Sequence, residues 1–185
     1  KGLVSLRTIA AGSVIETAVV GSQGVLGAST ILGGQYAPHR SVALVAGSSL
    51  RIEVGHLFRS IEKCPAIRDH ILVYIEALML HGAQLALCGA RHSIDRRLAC
   101  WICLATDAVG APILPITQDH LSLNLGLRRA SVSETLSRFE AAGLIRKMRG
   151  VLEIVRRDAL EEISCCCYGA IAGGYRSLFA PRRER

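Results

Sequence analysis

The sequence predicts an α+β chain in three parts: a β-rich segment over residues 1–64, one long helix over 65–92, and a helical part closed by a hairpin over 93–185. Three observations predict it. Short runs rich in branched residues, separated by glycine and serine turns, fill the first 54 positions. An apolar stretch of helical period follows Pro65 and runs to about residue 91. After residue 116, two short helical patterns are joined by one glycine and followed by a basic hairpin.

Composition permits this architecture. Half of the 185 residues are apolar, enough for a packed core. There is no run of about 18 uninterrupted apolar residues, so no transmembrane helix is expected. Residues 1–9 lack the basic, apolar, small-residue order of a signal peptide. The seven cysteines are odd in number, and Cys165, Cys166 and Cys167 are contiguous. Adjacent cysteines cannot each close a separate long loop, so a secreted disulfide scaffold is excluded and a reduced, cytoplasmic protein is expected.

Residues 3–9, 14–20, 41–46 and 49–54 read as four strands. Four strands make a small open sheet with exposed edges, the expected second half of a larger β-domain whose beginning is not in the chain. Pro65 opens the long helix, where its missing N–H is not needed. Ile71, Ile75, Leu78, Gly82 and Leu85 step along it by four and three. A helix apolar over so wide an arc must bury more than one face. The expectation is that this series meets a second copy of the chain while the rest lies on the β-domain. Ser93 then caps a further helix over 94–106.

The stretch after residue 116 carries the most information. Thr117 caps a short helix over 118–125, Gly126 turns the chain, and a second helix runs over 129–142 with Val132, Leu136 and Phe139 inward. Gly143 stops it, and a hairpin turns at Arg149-Gly150. Helix, glycine turn, helix and basic hairpin make a winged helix-turn-helix. Between residues 128 and 157 stand eight basic and three acidic residues, a phosphate-binding footprint. In that layout the second helix enters the major groove of duplex DNA. Arg129, Ala130, Ser133 and Glu134 then face the bases, Thr117 and Ser131 hold phosphates, Lys147 and Arg149 on the wing add sequence-independent attraction, and Arg128 is a further DNA-binding residue.

The run ITQDHLSLNLGLRRASVSETLSRFEAAGLI over residues 116–145 resembles the helix-turn-helix of the Crp/Fnr family of transcription regulators. The resemblance extends over nearly the whole chain. It implies a partial β-roll of the cyclic-nucleotide-binding type, a long dimerisation helix and a C-terminal winged helix-turn-helix, acting as a homodimer on DNA and with RNA polymerase. Arg129 and Ser133 match the family's reading pattern, whereas Ala130 and Glu134 replace its glutamate and arginine, implying a different operator. In the family's cyclic-AMP-binding members, a Gly-Glu-Leu stretch and a later Arg-Ser hold the nucleotide. Gly24, Arg40 and Ser41 match those positions, but Val25 stands for the ribose-binding glutamate and can accept no hydrogen bond. The effector is therefore left unassigned.

Cys100 and Cys103 form a C-x-x-C inside a predicted helix, and no second pair stands near in sequence. They read as small buried apolar residues, as does the 165–167 run, so no metal site is assigned. The alternative function is a thiol-based redox or metal-binding protein using Cys100 and Cys103. The six histidines are scattered over different elements, no catalytic constellation is present, and no enzymatic activity is expected.

Overall fold

The computed structural model describes residues 2–179. Strands β1 (Leu3–Ala10) and β2 (Ser13–Val20) form a hairpin through Ala11-Gly12, both with positive φ. Strand β3 (Arg40–Val45) pairs antiparallel with the other edge of β1, giving the order β2-β1-β3. Side chains alternate across this sheet as strand geometry requires. Leu3 and Val19 enter the main core with Leu98 and Trp101, whereas Leu6, Ala18 and Val20 pack toward Leu78 of the long helix.

The expected fourth strand over 49–54 does not form. Residues 46–53 are irregular, and Leu50 and Ile52 are exposed. A branched run becomes a strand only where an open edge offers it hydrogen bonds, and this one meets none. Val54 instead begins helix α1 (Val54–Lys63), which the sequence reading missed.

Helix α2 (Pro65–Arg91) has the expected bounds and is about 40 Å long. Its length and apolar composition are those of a membrane span, a property shared by core helices of soluble proteins. One side of α2 packs on β2, and α7 (Cys166–Arg176) lies along it. A side chain at Gly174 of α7 would come within 2.9 Å of Leu80, so glycine permits the close approach. His81 is buried at this contact, its Nδ1 3.0 Å from the Tyr175 hydroxyl, and desolvation lowers its pKa to about 4.

Helix α3 (Ile94–Val109) is the centre of the molecule, with residues 98–106 all buried. Gly110 ends it in the left-handed conformation. Strand β4 (Ile113–Leu114), helices α4 (Gln118–Leu125) and α5 (Arg129–Ala141), strands β5 (Ile145–Met148) and β6 (Val151–Ile154), and α6 (Arg157–Ile163) complete the C-terminal part. The small sheet has the order β4-β6-β5. Leu121, Val132, Leu136, Phe139, Leu152 and Leu160 join the α3 core.

Polar contacts tie the N-terminal sheet to this core. Arg7 donates to Ser5 Oγ at 3.1 Å and to Asn124 Oδ1 of α4 at 2.8 Å. The Trp101 indole donates to Glu16 Oε1 at 2.5 Å. Glu16 is 4% exposed, and burial pushes its carboxyl pKa up to about 7.

Candidate nucleic-acid interface

The two-helix unit is built as its residues dictate. The Thr117 Oγ1 accepts the His120 N–H at 3.2 Å, capping α4. Gly126 sits at φ 60° and ψ 40°, a left-handed conformation that side chains with a Cβ resist. The Leu127 N–H closes on the Ser122 carbonyl at 2.9 Å, which turns the chain into α5. Val132, Thr135, Leu136 and Phe139 bury one face of α5. The opposite face presents Arg129, Ala130, Glu134 and Ser137 to solvent, with Ser131 and Ser133 half-buried at its margins.

No side chain caps the α5 N-terminus, so its first-turn N–H groups face outward beside exposed Arg128. Arg129 Nε lies 2.7 Å from Asp119 Oδ1 of α4, and both side chains are largely exposed. Glu134 pairs with Arg138 at 2.9 Å, and Arg138 also reaches Asp95 of α3. Exposed pairs of this kind contribute at most about 1 kcal/mol, so a nucleic acid can exchange them for its own contacts.

The wing is fastened to the second helix. Lys147 Nζ lies 3.0 Å from Glu140 Oε2 and 2.9 Å from Ser137 Oγ, while its backbone N–H donates to Glu140 Oε1 at 2.7 Å. That N–H, with the ammonium beside it, holds the Glu140 carboxyl below the usual carboxylate range. The sequence reading placed Lys147 free on the wing tip. The structure instead makes it a half-buried tether, and Arg149 is left exposed at the turn. Thr117, Arg129, Lys147 and Arg149 line one cleft between α4, α5 and the wing. Glu140 is the residue of this unit that the sequence reading missed, because its partner lies across a strand rather than at helical spacing.

The other expected site residues are placed differently. Gly24 lines a cavity of about 550 Å³ with Tyr74 and His81, but Arg40 and Ser41 are exposed on β3 and are not among its lining residues. The three effector positions therefore do not meet there. The residues expected at the dimer seam also make contacts within the chain. Ile71 is buried with Ala28 and Tyr74, Ile75 and Leu78 pack against the same group, Leu85 packs on the main core, and Gly82 faces the Thr17 carbonyl. Within the series, Leu78 and Gly82 meet the chain's own sheet, while Ile71 and Ile75 pack on the segment around Ala28. The outward face of α2 carries Met79, Ala83, Ala86, Leu87 and Ala90. Cys100 and Cys103 are both buried in α3, as expected.

Residues 96–163 match the family model of the Crp-like helix-turn-helix domain. No curated protein matches the chain by sequence. Among solved structures, a CRP-family transcriptional regulator from Thermus thermophilus superposes with a TM-score of 0.62 at 16% identity, covering 89% of this chain and 84% of that one. FixK2 from Bradyrhizobium japonicum gives 0.63 at 15% identity, again covering 89% and 84%. CLP from Xanthomonas campestris, described as a c-di-GMP responsive global regulator, gives 0.61 at 16% identity, covering 83% and 81%. Residues 96–163 thus form a Crp-like helix-turn-helix domain, and the chain shares the fold of CRP/FNR transcriptional regulators over most of its length.

Proposed function

We propose that the chain regulates transcription as a homodimer that reads a two-fold symmetric DNA site through the N-terminal turns of α5. The observation that carries this reading is the outward row of Arg129, Ala130 and Glu134, flanked by Ser133 and by the uncapped helix start. Arginine makes a bidentate contact to guanine, and glutamate accepts from the cytosine amine. Arg128, Thr117, Ser131 and the first-turn N–H groups serve the phosphates, fixing register without reading sequence. Arg149 and the tethered Lys147 extend the contact across the wing.

The outward apolar face of α2 supports self-association. Met79 is 71% exposed and Leu87 45%, and with alanines between them they form a stripe suited to a second copy of the helix. A two-fold dimer of this kind presents two copies of α5 about one helical turn of DNA apart. The cavity beside Gly24, Tyr74 and His81 gives an effector a place next to α2. Binding beside a promoter in the cytoplasm would bring the protein to RNA polymerase.

Selection of bound duplexes from a random DNA pool, at low and moderate salt, tests the reading. Enrichment of an inverted repeat with half-sites about one helical turn apart is expected. Binding that falls steeply with salt while enriching no sequence would refute it, because a basic surface alone behaves that way.

A further inference from the structure

The long helix ends and the C-terminal helix begins at one point in the molecule. Cys88 and His92 stand one turn apart at the end of α2, with His92 its capping residue. Cys165 caps α7, and Cys167 lies in its first turn. The ligand atoms of these four residues all lie within 4.8 Å of one another. Cys88 Sγ is 3.3 Å from Cys165 Sγ, and Cys167 Sγ is 3.6 Å from His92 Nδ1. The three thiols are buried and the imidazole is half-buried.

We propose that Cys88, His92, Cys165 and Cys167 bind a single zinc ion and so pin the corner between α2 and α3 onto α7. Zinc bonds of about 2.3 Å to sulfur and about 2.0–2.1 Å to nitrogen give tetrahedron edges of roughly 3.8 Å between two sulfurs and roughly 3.5 Å between sulfur and nitrogen. The 3.6 Å between Cys167 Sγ and His92 Nδ1 matches its edge, the 3.3 Å between Cys88 Sγ and Cys165 Sγ is about 0.5 Å shorter than its edge, and no other pair of ligand atoms is more than 4.8 Å apart. Three thiolates and an imidazole are a soft donor set, which favours zinc over magnesium, calcium or manganese. Four protein ligands leave no open position, so the ion is structural rather than catalytic. On coordination each thiol gives up its proton, and the site carries a net charge of −1.

The surroundings suit the ion. Cys100, buried on α3, lies beside Cys88 and Cys165, behind two of the coordinating sulfurs. Cys103 takes no part; it faces Arg157 and Asp107. The C-x-x-C in α3 is thus divided, one cysteine behind the site and the other apart from it. The ligand signal in the sequence is instead C-x-x-x-H followed by C-x-C, split by more than seventy residues. Because α3 leads directly into the helix-turn-helix, the ion would hold the DNA-binding part at a set angle to the long helix.

The test uses the full chain, reduced, stripped of metal and titrated with cobalt and then zinc. One equivalent of cobalt is expected to bind with the visible bands of tetrahedral thiolate coordination, and one equivalent of zinc should displace it. X-ray absorption of the zinc-loaded wild-type protein should show three sulfurs and one imidazole. Cys167→Ser should lose the cobalt bands, whereas Cys103→Ser and Cys64→Ser should keep them. Because Cys167→Ser can fail through misfolding, the wild-type absorption spectrum decides independently. Substoichiometric binding, a shell of four sulfurs, or a shell without sulfur would each overturn the assignment. So would mapping of a Cys88–Cys165 disulfide that forms equally with and without zinc.

Discussion

Glu16 offers a quantitative check on how the N-terminal sheet is joined to the DNA-binding part. Its carboxyl is buried beneath the sheet and accepts the Trp101 indole N–H, while its second oxygen has no hydrogen-bond partner among the described residues. Burial raises its pKa from 4.5 to about 7. The folded state therefore holds this proton more tightly than the unfolded chain does. Stability from the protonated form is fully present below pH 4.5 and is lost as pH rises through about 7. At 1.36 kcal/mol per unit the loss is about 3 kcal/mol. His81 opposes it at lower pH. Its pKa falls from 6.5 to about 4, so its contribution is present above pH 6.5 and is lost as pH falls through 4. The wild-type profile alone mixes the two, and the comparison with Glu16→Gln separates them. The assay is urea unfolding followed by fluorescence of Trp101, the sole tryptophan, at pH values from 4.5 to 8.5. Relative to wild type, Glu16→Gln should gain about 3 kcal/mol across that range, most of it by pH 7.5. A difference between the two proteins that does not change with pH would refute the argument.

Further expectations concern packing, the wing and assembly. Leu136→Ala removes a fully buried side chain from the face of α5 that meets α3 and should cost about 2–5 kcal/mol by denaturant unfolding. A loss below 1 kcal/mol would mean that the core is not packed as described. Arg149→Ala should weaken binding to every duplex alike and reduce the slope of log affinity against log salt by about one; a change in preferred sequence would place this residue on the bases instead. Met79→Glu should yield monomers by sedimentation, because it charges the outward stripe of α2, whereas a dimer that persists would put the seam elsewhere.

Much of this architecture was legible because local chemistry specifies it. Thr117, Gly126 and Gly143 punctuate the helix-turn-helix at positions where only a cap or a left-handed residue serves, and both helices begin where expected. The long helix was equally clear in extent but not in phase. It is apolar around most of its circumference, so periodicity could not say which side meets the sheet, and the series from Ile71 to Leu85 makes intrachain contacts that the sequence did not indicate. The run over 49–54 failed for a related reason: strand propensity is local, but a hydrogen-bonding edge is not. The cysteine cluster was hidden by sequence distance. Cys165 lies 77 positions from Cys88, and only the antiparallel packing of α7 along α2 brings them together.

The central claim is that the first turns of α5 read the bases. It is tested most directly by repeating the random-pool selection with Arg129→Ala and Glu134→Ala beside the wild-type protein. Each variant should still enrich an inverted repeat of unchanged spacing, with base preference relaxed at one position per half-site and a cost there of about 1–3 kcal/mol. Enrichment of the wild-type sequence by both variants would contradict the claim and move the reading surface away from this helix.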